Sequence, residues 1–470
     1  MSAACTCLVG FKGHERSRVW EQAGSLSVPP FDMIEEAFKV LTLNCWGVFI
    51  PFCTVRKDDR LKLIAKRLSD GTYDILMLQE IWTDPDFRML QSSLKHVYPW
   101  STYFHSNLIG SGLCIFSKWP MDSIFMHPFG ANGYPHLLHQ GDWYCGKGVG
   151  LARVTSKHGF RINLYVTHLI ARYELDRTKD HYEGHRISQL IELLQFIRTT
   201  AGSADGFIVA GDFNLESDTT AIKLFRTHLG ASDAWLDSPS ALKHAGGDAL
   251  ESEGCTCDRS DNPYRNDEWT KYYGNGERLD YIFYRTGPGP ADPYSSPNLV
   301  KLTCEQCWLD LREVPDDPTG LHYSDHEGVG ALFKLTRVPP SQFVETPPAL
   351  VPREVEPMLL ELRQQIDRGM HRCRQNRLFH AVIGVAFLLF LLLLLFNSPR
   401  YDWIGTFISI LLAGLLGSVV FVLFWGSLVG HTAERRALEN GTLMVDVLLS
   451  QLEGSTSNGS TKQMTNSNCD

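Results

Sequence analysis

The chain has no apolar run near its start. The opening residues MSAACTCLVGFKGHERSRVW lack the hydrophobic centre of a secretory signal, so cleavage and export are not expected. Positive charge is also short. Lys and Arg number 44 against 53 Asp and Glu, a formal net charge of -9. A chain built to neutralise nucleic-acid phosphates carries the opposite sign, so a nucleic-acid partner is not expected. There is no internal repeat, which excludes solenoids and propellers. Glycosylation sequons are scarce: Asn440-Gly441-Thr442 and Asn458-Gly459-Ser460, both near the C-terminus. The twelve cysteines, without a signal for export, are expected as free thiols in a reducing compartment.

Long apolar runs are present, and both lie late in the chain. Residues 378–396 read LFHAVIGVAFLLFLLLLLF, and residues 403–430 read WIGTFISILLAGLLGSVVFVLFWGSLVG. Each is long enough to cross a bilayer. The short link between them makes a two-span hairpin with its outer ends on one side. Arg368, Arg372, Arg374 and Arg377 precede the first run, and Arg435 and Arg436 follow the second. The excess of Arg outside the hairpin places both termini and the preceding residues in the cytosol. The endoplasmic reticulum or another internal membrane is the expected compartment.

The rest divides into an N-terminal extension (1–37), a region of alternating strand and helix patterns (38–337), a Pro-rich linker with a juxtamembrane helix (338–377), and a cytosolic tail (431–470) whose last seventeen residues have the composition of a disordered segment. In the juxtamembrane helix Met358, Leu359, Leu362 and Ile366 share a face. That face suits either the bilayer surface or the preceding domain.

Within 38–337 the apolar strands end in polar residues. FKVLTLNC presents Asn44, and YDILMLQE ends in Glu80. RINLYVTH ends in His168, and FIVAGDFN ends in Asp212 and Asn214. LDYIFY opens with Asp280, and Ser324-Asp325-His326 precedes the last strand, GVGALFKL. Helix patterns lie between them, as at 58–68 and 182–198, which gives an α/β fold. One sheet edge would gather these groups. Oxygen donors such as Glu80 and Asn44 suit a hard cation, Mg²⁺, which takes few protein ligands. A histidine backed by a carboxylate can take a proton from water. His326 is the candidate. Adjacent residues on a strand point apart, so Asp280 suits it as partner better than Asp325. Hydrolysis of a phosphate ester fits this inventory.

The ordered set N-x-W, LQE, THL, GDFN, LDYIF, SDH resembles the metal-dependent endonuclease/exonuclease/phosphatase superfamily over about residues 38–337. The resemblance implies a four-layer α/β sandwich, deoxyribonuclease-I-like, with the hairpin following it. It implies magnesium on Glu80 with Asn44 alongside and Asp325 positioning or coordinating. It also implies His326 as general base, His168 and Asn214 on the phosphate, and Asp212 and Asp280 orienting the site. LTLNCWGVF, LMLQEIWTDPDF and SGLCIFSKWP are similar to the neutral, magnesium-dependent sphingomyelinases. That branch implies phospholipase C-type cleavage of sphingomyelin to ceramide and phosphocholine, with lyso-choline lipids as further substrates. The other readings are a membrane-tethered nuclease or phosphoinositide phosphatase of the same fold, and a binding scaffold without activity.

Some segments allow two readings. Gly141–Gly148, GDWYCGKG, departs from a nucleotide-binding loop at Gly148 and leads into a strand pattern. Lys147 there either reaches a substrate phosphate or sits on a surface turn. Cys255, Cys257, Cys304 and Cys307 have poor zinc spacing. Cys5 and Cys7 are acylation candidates. Trp46, Phe49, Ile50, Pro51, Phe52 and Trp119 either touch lipid or fill the core.

Overall fold

The computed structural model describes residues 34–239, 249–274, 276–287, 299–338, 352–397 and 402–465. The Pro-rich stretch 339–351, the hairpin link 398–401 and Cys5 and Cys7 lie outside them.

Two six-stranded sheets form the centre. One contains β1 (Glu35–Asn44), β2 (Ile75–Gln79), β3 (Trp100–Phe104), β4 (Leu113–Ser117), β11 (Leu299–Asp310) and β12 (Gly328–Val338), in the order β11-β12-β1-β2-β4-β3. The other contains β5 (Met121–Pro128), β6 (Gly148–Thr155), β7 (Arg161–His168), β8 (Gly206–Asp212), β9 (Ser232–Asp233) and β10 (Asp280–Thr286), in the order β5-β6-β7-β8-β10-β9. The apolar alternation of the strands explains the packing. Val40, Ile75, Met77, Ile115, Leu164, Ile208 and Phe333 meet between the sheets. The residues beside them, Leu41, Leu76, Leu78 and Phe116, turn outward under α1 (Lys57–Leu68) and α2 (Asp84–Leu94). Tyr165, Phe207 and Val209 turn the other way, under α3 (Glu183–Thr200) and α4 (Thr220–Leu229). Helices cover both outer faces, giving four layers.

α3 is buried almost all round, with Ile187, Leu190, Ile191, Leu193, Leu194 and Ile197 joined by His185, Ser188 and Gln189. Such a helix needs cover on its second face. The C-terminal part supplies it. α5 (Pro352–Asn397) is continuous from the juxtamembrane segment through the first apolar run. Its Leu359, Leu362 and Ile366 are buried in the α3 core, so this face packs on the sandwich and not on a bilayer. α6 (Trp403–Trp425) returns, and α7 (His431–Thr465) adds Leu438, Val445 and Leu448 to the same core. α7 continues helical to Thr465, although the composition of its end suggests an irregular tail. Arg368 pairs with Glu183 of α3 at 2.8 Å, and Arg363 with Asp446 of α7 at 2.7 Å. Beyond the sandwich, α5 and α6 expose Phe390, Leu393, Phe407, Ile408 and Leu415 on several sides. Both are long and apolar enough to cross a membrane.

Candidate active site

Strand register builds the centre. His168 ends β7 opposite Asp212, the end of β8, and Asp280 opens β10 on the other side of Asp212. Three polar residues therefore stand abreast at one edge. Gly211 makes this possible: its φ is +146°, and a Cβ there would lie 1.9 Å from the Thr167 carbonyl oxygen. On the facing sheet Asn44 ends β1 opposite Gln79, and Glu80 follows directly. Trp46, Glu80 and Asn214 all hold left-handed backbone, with φ of +46°, +58° and +49°. Non-glycine residues adopt it at a cost and concentrate at functional sites.

Asn44 joins the sheets. Its Nδ2 donates to Glu80 Oε1 at 3.0 Å and to Asp212 Oδ2 at 3.1 Å, while its Oδ1 accepts from the Trp46 N–H. Asp212 Oδ1 accepts from the Asn214 N–H at 2.9 Å. The Asn214 side chain donates to the Leu169 carbonyl at 3.0 Å. Asp325 and His326 enter just before β12. His326 Nδ1 lies 2.7 Å from Asp280 Oδ2, and Asp325 instead accepts from the Ser324 hydroxyl. The Thr256 hydroxyl accepts from the backbone N–H groups of Leu279 and Asp280 and so fixes the orienting carboxylate. Cys257 bridges His326 backbone to backbone.

Lys147 is buried, not on a surface turn. Its Nζ lies 3.0 Å from Asp142 Oδ1, 3.1 Å from His168 Nε2 and 3.1 Å from the Leu169 carbonyl oxygen. These partners match the three donors of an ammonium group. Asp142 is held in turn by the Tyr173 hydroxyl at 2.5 Å. Asp142, Thr256, Cys257 and Tyr173 were missed by reading strand ends, because none of the four lies in one of the twelve strands. Only Asp142 carried a signal, as an acid in the same Gly-rich loop as Lys147. Cys304 and Cys307 are buried in β11, away from the edge that holds Cys257.

Together these side chains surround a cavity of about 220 Å³, lined by Glu80, Lys147, His168, Asp212, Asn214 and His326 among others. Phe49 and Ile50 stand at its mouth about half exposed, and Phe52 beside them is fully exposed. Trp46 is half-buried against Arg60, and Trp119 is buried in the core.

The electrostatics are those of a site short of positive charge. Burial, then the Asp280 carboxylate, pushes Asp212 up to about 7. Burial, aided by Glu80 and opposed by His326, pushes Asp325 up to about 6. Burial works against the His326 imidazolium, but Cys257 and Asp280 outweigh it and hold His326 well above its ordinary value. Burial, then the Lys147 ammonium, hold His168 well below, so it is neutral.

The residue pattern of the endonuclease/exonuclease/phosphatase family matches residues 41–326, the span from β1 to His326. The chain belongs to this family. Sphingomyelin phosphodiesterase 2 of Homo sapiens is 32% identical over 76% of this chain and 78% of its own length. The rat protein of the same name, from Rattus norvegicus, is 31% identical over 83% and 84%. An inositol phosphosphingolipids phospholipase C of Schizosaccharomyces pombe is 33% identical over 52% of this chain and 59% of its own.

Family membership implies a divalent metal ion, and the residues present fit one. Asp212, Asp280 and His326 bring ligand-type atoms within 4.8 Å of one another. His326 Nδ1 is already engaged by Asp280, however, so the oxygen-rich corner at Glu80 and Asn44 suits a hard cation better. Buried carboxyls raised by burial and by one another are relieved by added positive charge.

Proposed function

We propose that the chain hydrolyses sphingomyelin to ceramide and phosphocholine at the surface of the membrane that its hairpin enters. The observation that carries this reading is the buried Asp280–His326 pair facing Asn44 and Glu80 across a cavity with an exposed apolar lip. Glu80, Asn44 and Asp325 would hold magnesium, which supplies positive charge to the phosphate oxygens. His326 Nδ1 is committed to Asp280, so Nε2 is the atom that accepts a proton from water. The water oxygen then bonds to phosphorus as the bond from phosphorus to the ceramide oxygen breaks. The ceramide oxygen leaves as an alkoxide and takes a proton from solvent, to which His326 returns the one it accepted, so the ceramide ends as an alcohol. His168, neutral, and the Asn214 amide steady the phosphate oxygens. Asp212 holds the Asn44 amide in place. Lys147, expected on the substrate, has all three donors spent within the protein. It supports His168 from beneath and lends its charge there.

Phe49, Ile50 and Phe52 suit contact with the acyl region of a bilayer. The hairpin raises the local concentration of an enzyme whose substrate lies in the membrane. We place the sandwich in the cytosol. α5 and α7 both return to α3, which matches a hairpin with both outer ends on one side, and the flanking Arg residues mark that side.

The test is purified full-length protein in mixed micelles with magnesium or EDTA, offered sphingomyelin, phosphatidylcholine, lyso-lipids, phosphoinositides and DNA. Phosphocholine release from sphingomyelin, lost in EDTA, is the expected result. Hydrolysis of phosphoinositide or DNA alone would overturn it. An inositol phosphate head group, as in the name of the yeast relative, is the second reading. The net acidic charge and the fully engaged Lys147 count against it.

A further inference from the structure

A second cluster of chemistry-bearing side chains lies away from the cavity. His136 sits in the loop between β5 and the short helix Asp142–Cys145. His380 sits on α5 where the apolar run begins, and His431 opens α7. The three ring centroids form a near-equilateral triangle. His136 is 4.7 Å from His380 and 4.9 Å from His431, and His380 is 4.9 Å from His431. One ring nitrogen from each falls within 4.8 Å of the others. No carboxylate belongs to the triangle; Glu434 nearby already accepts from the backbone N–H groups of Asn132 and Gly133.

We propose that His136, His380 and His431 form a transition-metal site of the zinc class that fastens the neck of the hairpin to the catalytic sandwich. Three features point to a ligand. His431 is completely buried, and neither of its ring nitrogens has a hydrogen-bond partner. A buried imidazole left so is costly unless something takes its lone pair. His380 Nδ1 lies 2.7 Å from the Asn376 carbonyl oxygen, so it donates there and leaves Nε2 as the free lone pair. That backbone bond on the far nitrogen is the usual arrangement of a metal-bound histidine. His136 is exposed, which gives an ion its entry path and leaves a fourth position open to water. Imidazole nitrogens select zinc, copper or nickel over the hard cation of the cavity. At a bond length of about 2.0–2.1 Å, tetrahedral zinc needs its nitrogens about 3.3 Å apart, a small closure from the spacing found.

The backbone around the triad allows this approach. Gly426–Gly430 forms a π-helical turn between α6 and α7. A Cβ on Gly430 would lie 2.4 Å from Pro135 Cγ, so only glycine lets the loop come this close to α7. Ion and cavity are linked along the chain. The loop that carries His136 continues to Gly141 and Asp142 at the cavity, and the Tyr144 hydroxyl returns to the Pro135 carbonyl at 2.9 Å. A bound ion would pin this loop between the hairpin and the substrate.

The test uses full-length protein in detergent micelles, stripped of metal and titrated with Zn²⁺ and with Co²⁺ as a spectroscopic probe. Each titration is repeated in Glu80→Gln to separate it from uptake at the cavity. Expected are one Zn²⁺ per chain, tetrahedral Co²⁺ absorption and a rise in Tm with Zn²⁺, all kept in Glu80→Gln. His136→Ala, at an exposed position that leaves packing intact, should weaken binding about tenfold or more. His431→Gln should abolish it, and His371→Ala, exposed on the same helix, should leave it unchanged. No tetrahedral Co²⁺ signal in the parent protein, or equal binding by His136→Ala, overturns the proposal.

Discussion

Two regions of this molecule use buried residues in opposite ways. At the polar edge of the sandwich, Asn44, Asp212, Asp280 and His326 are buried to be reactive. Burial and the Asp280 carboxylate push Asp212 up, and Cys257 and Asp280 hold His326 up against its burial. In the layer built by α5 and α7 on α3, Leu359, Leu362, Ile366, Leu438 and Val445 are buried to be inert, completely enclosed and without a titrating partner. The first region holds the chemistry at a cost in stability. The second holds stability through apolar contact. Substitutions in the two should therefore dissociate, and each prediction below tests that dissociation.

The largest effect belongs to the edge. His326→Ala removes the group proposed to take the proton from water, and phosphocholine release should fall by about 10³–10⁴-fold. Tm should move less than for a core substitution, since His326 lines the open cavity and water can reach the Asp280 carboxyl it leaves behind. A loss of Tm as large as that of a core substitution would break the comparison.

Next comes the layer. Leu362→Ala and Leu438→Ala each empty a completely buried position and should cost about 2–5 kcal/mol. Thermal unfolding in micelles should record the loss, while activity per folded molecule stays near that of the parent. Leu393→Ala, on the same helix as Leu362 but exposed beyond the sandwich, should cost nothing measurable in detergent. Equal effects at 362 and 393 would show that the two halves of α5 are not different in kind.

A smaller and more diagnostic change is Asp280→Asn. The carboxylate favours the imidazolium of His326, so it holds the His326 pKa up. Catalysis needs the neutral ring, and activity should rise with pH through that pKa. Removing the carboxylate should lower the pKa, moving the acid limb of the rate profile to lower pH while the plateau falls about 10²-fold as the ring loses its orientation. An unmoved acid limb would mean that another group sets it.

How much of this was legible in the sequence differs between the two regions for a physical reason. Strand ends are local. Once FIVAGDFN and RINLYVTH are strands, Asp212 and His168 fall at the same edge, and the register of β7 on β8 does the rest. The periodicity of Met358, Leu359, Leu362 and Ile366 announces a buried face but not its partner. Contacts made by residues outside the strands were mostly out of reach. Asp142 under Lys147, Thr256 under Asp280, and the meeting of His136 with His380 and His431 all depend on long-range packing that no local pattern encodes. Lys147 shows the limit clearly: its place in a Gly-rich loop was readable, but its three internal partners were not.

The smallest predicted effect tests the proposed delivery of the active edge to a membrane. Phe52 is fully exposed beside the cavity mouth and touches neither the catalytic pair nor the core. An exposed aromatic contributes little to folding, so Phe52→Ala should leave Tm unchanged. It should also leave hydrolysis of a short-chain, water-soluble sphingomyelin analogue unchanged, since no side chain that bonds to phosphate is lost. On sphingomyelin vesicles the rate should fall a few-fold, because part of the apolar surface that enters the lipid is gone; a buried aromatic is worth about 1.5–3 kcal/mol, and this one inserts only partly. Placing the protein in nanodiscs, where the hairpin already holds it at the bilayer, should shrink the defect. If the rate on the soluble analogue fell equally, Phe52 would belong to the substrate pocket, and the lip would be part of the reactive region.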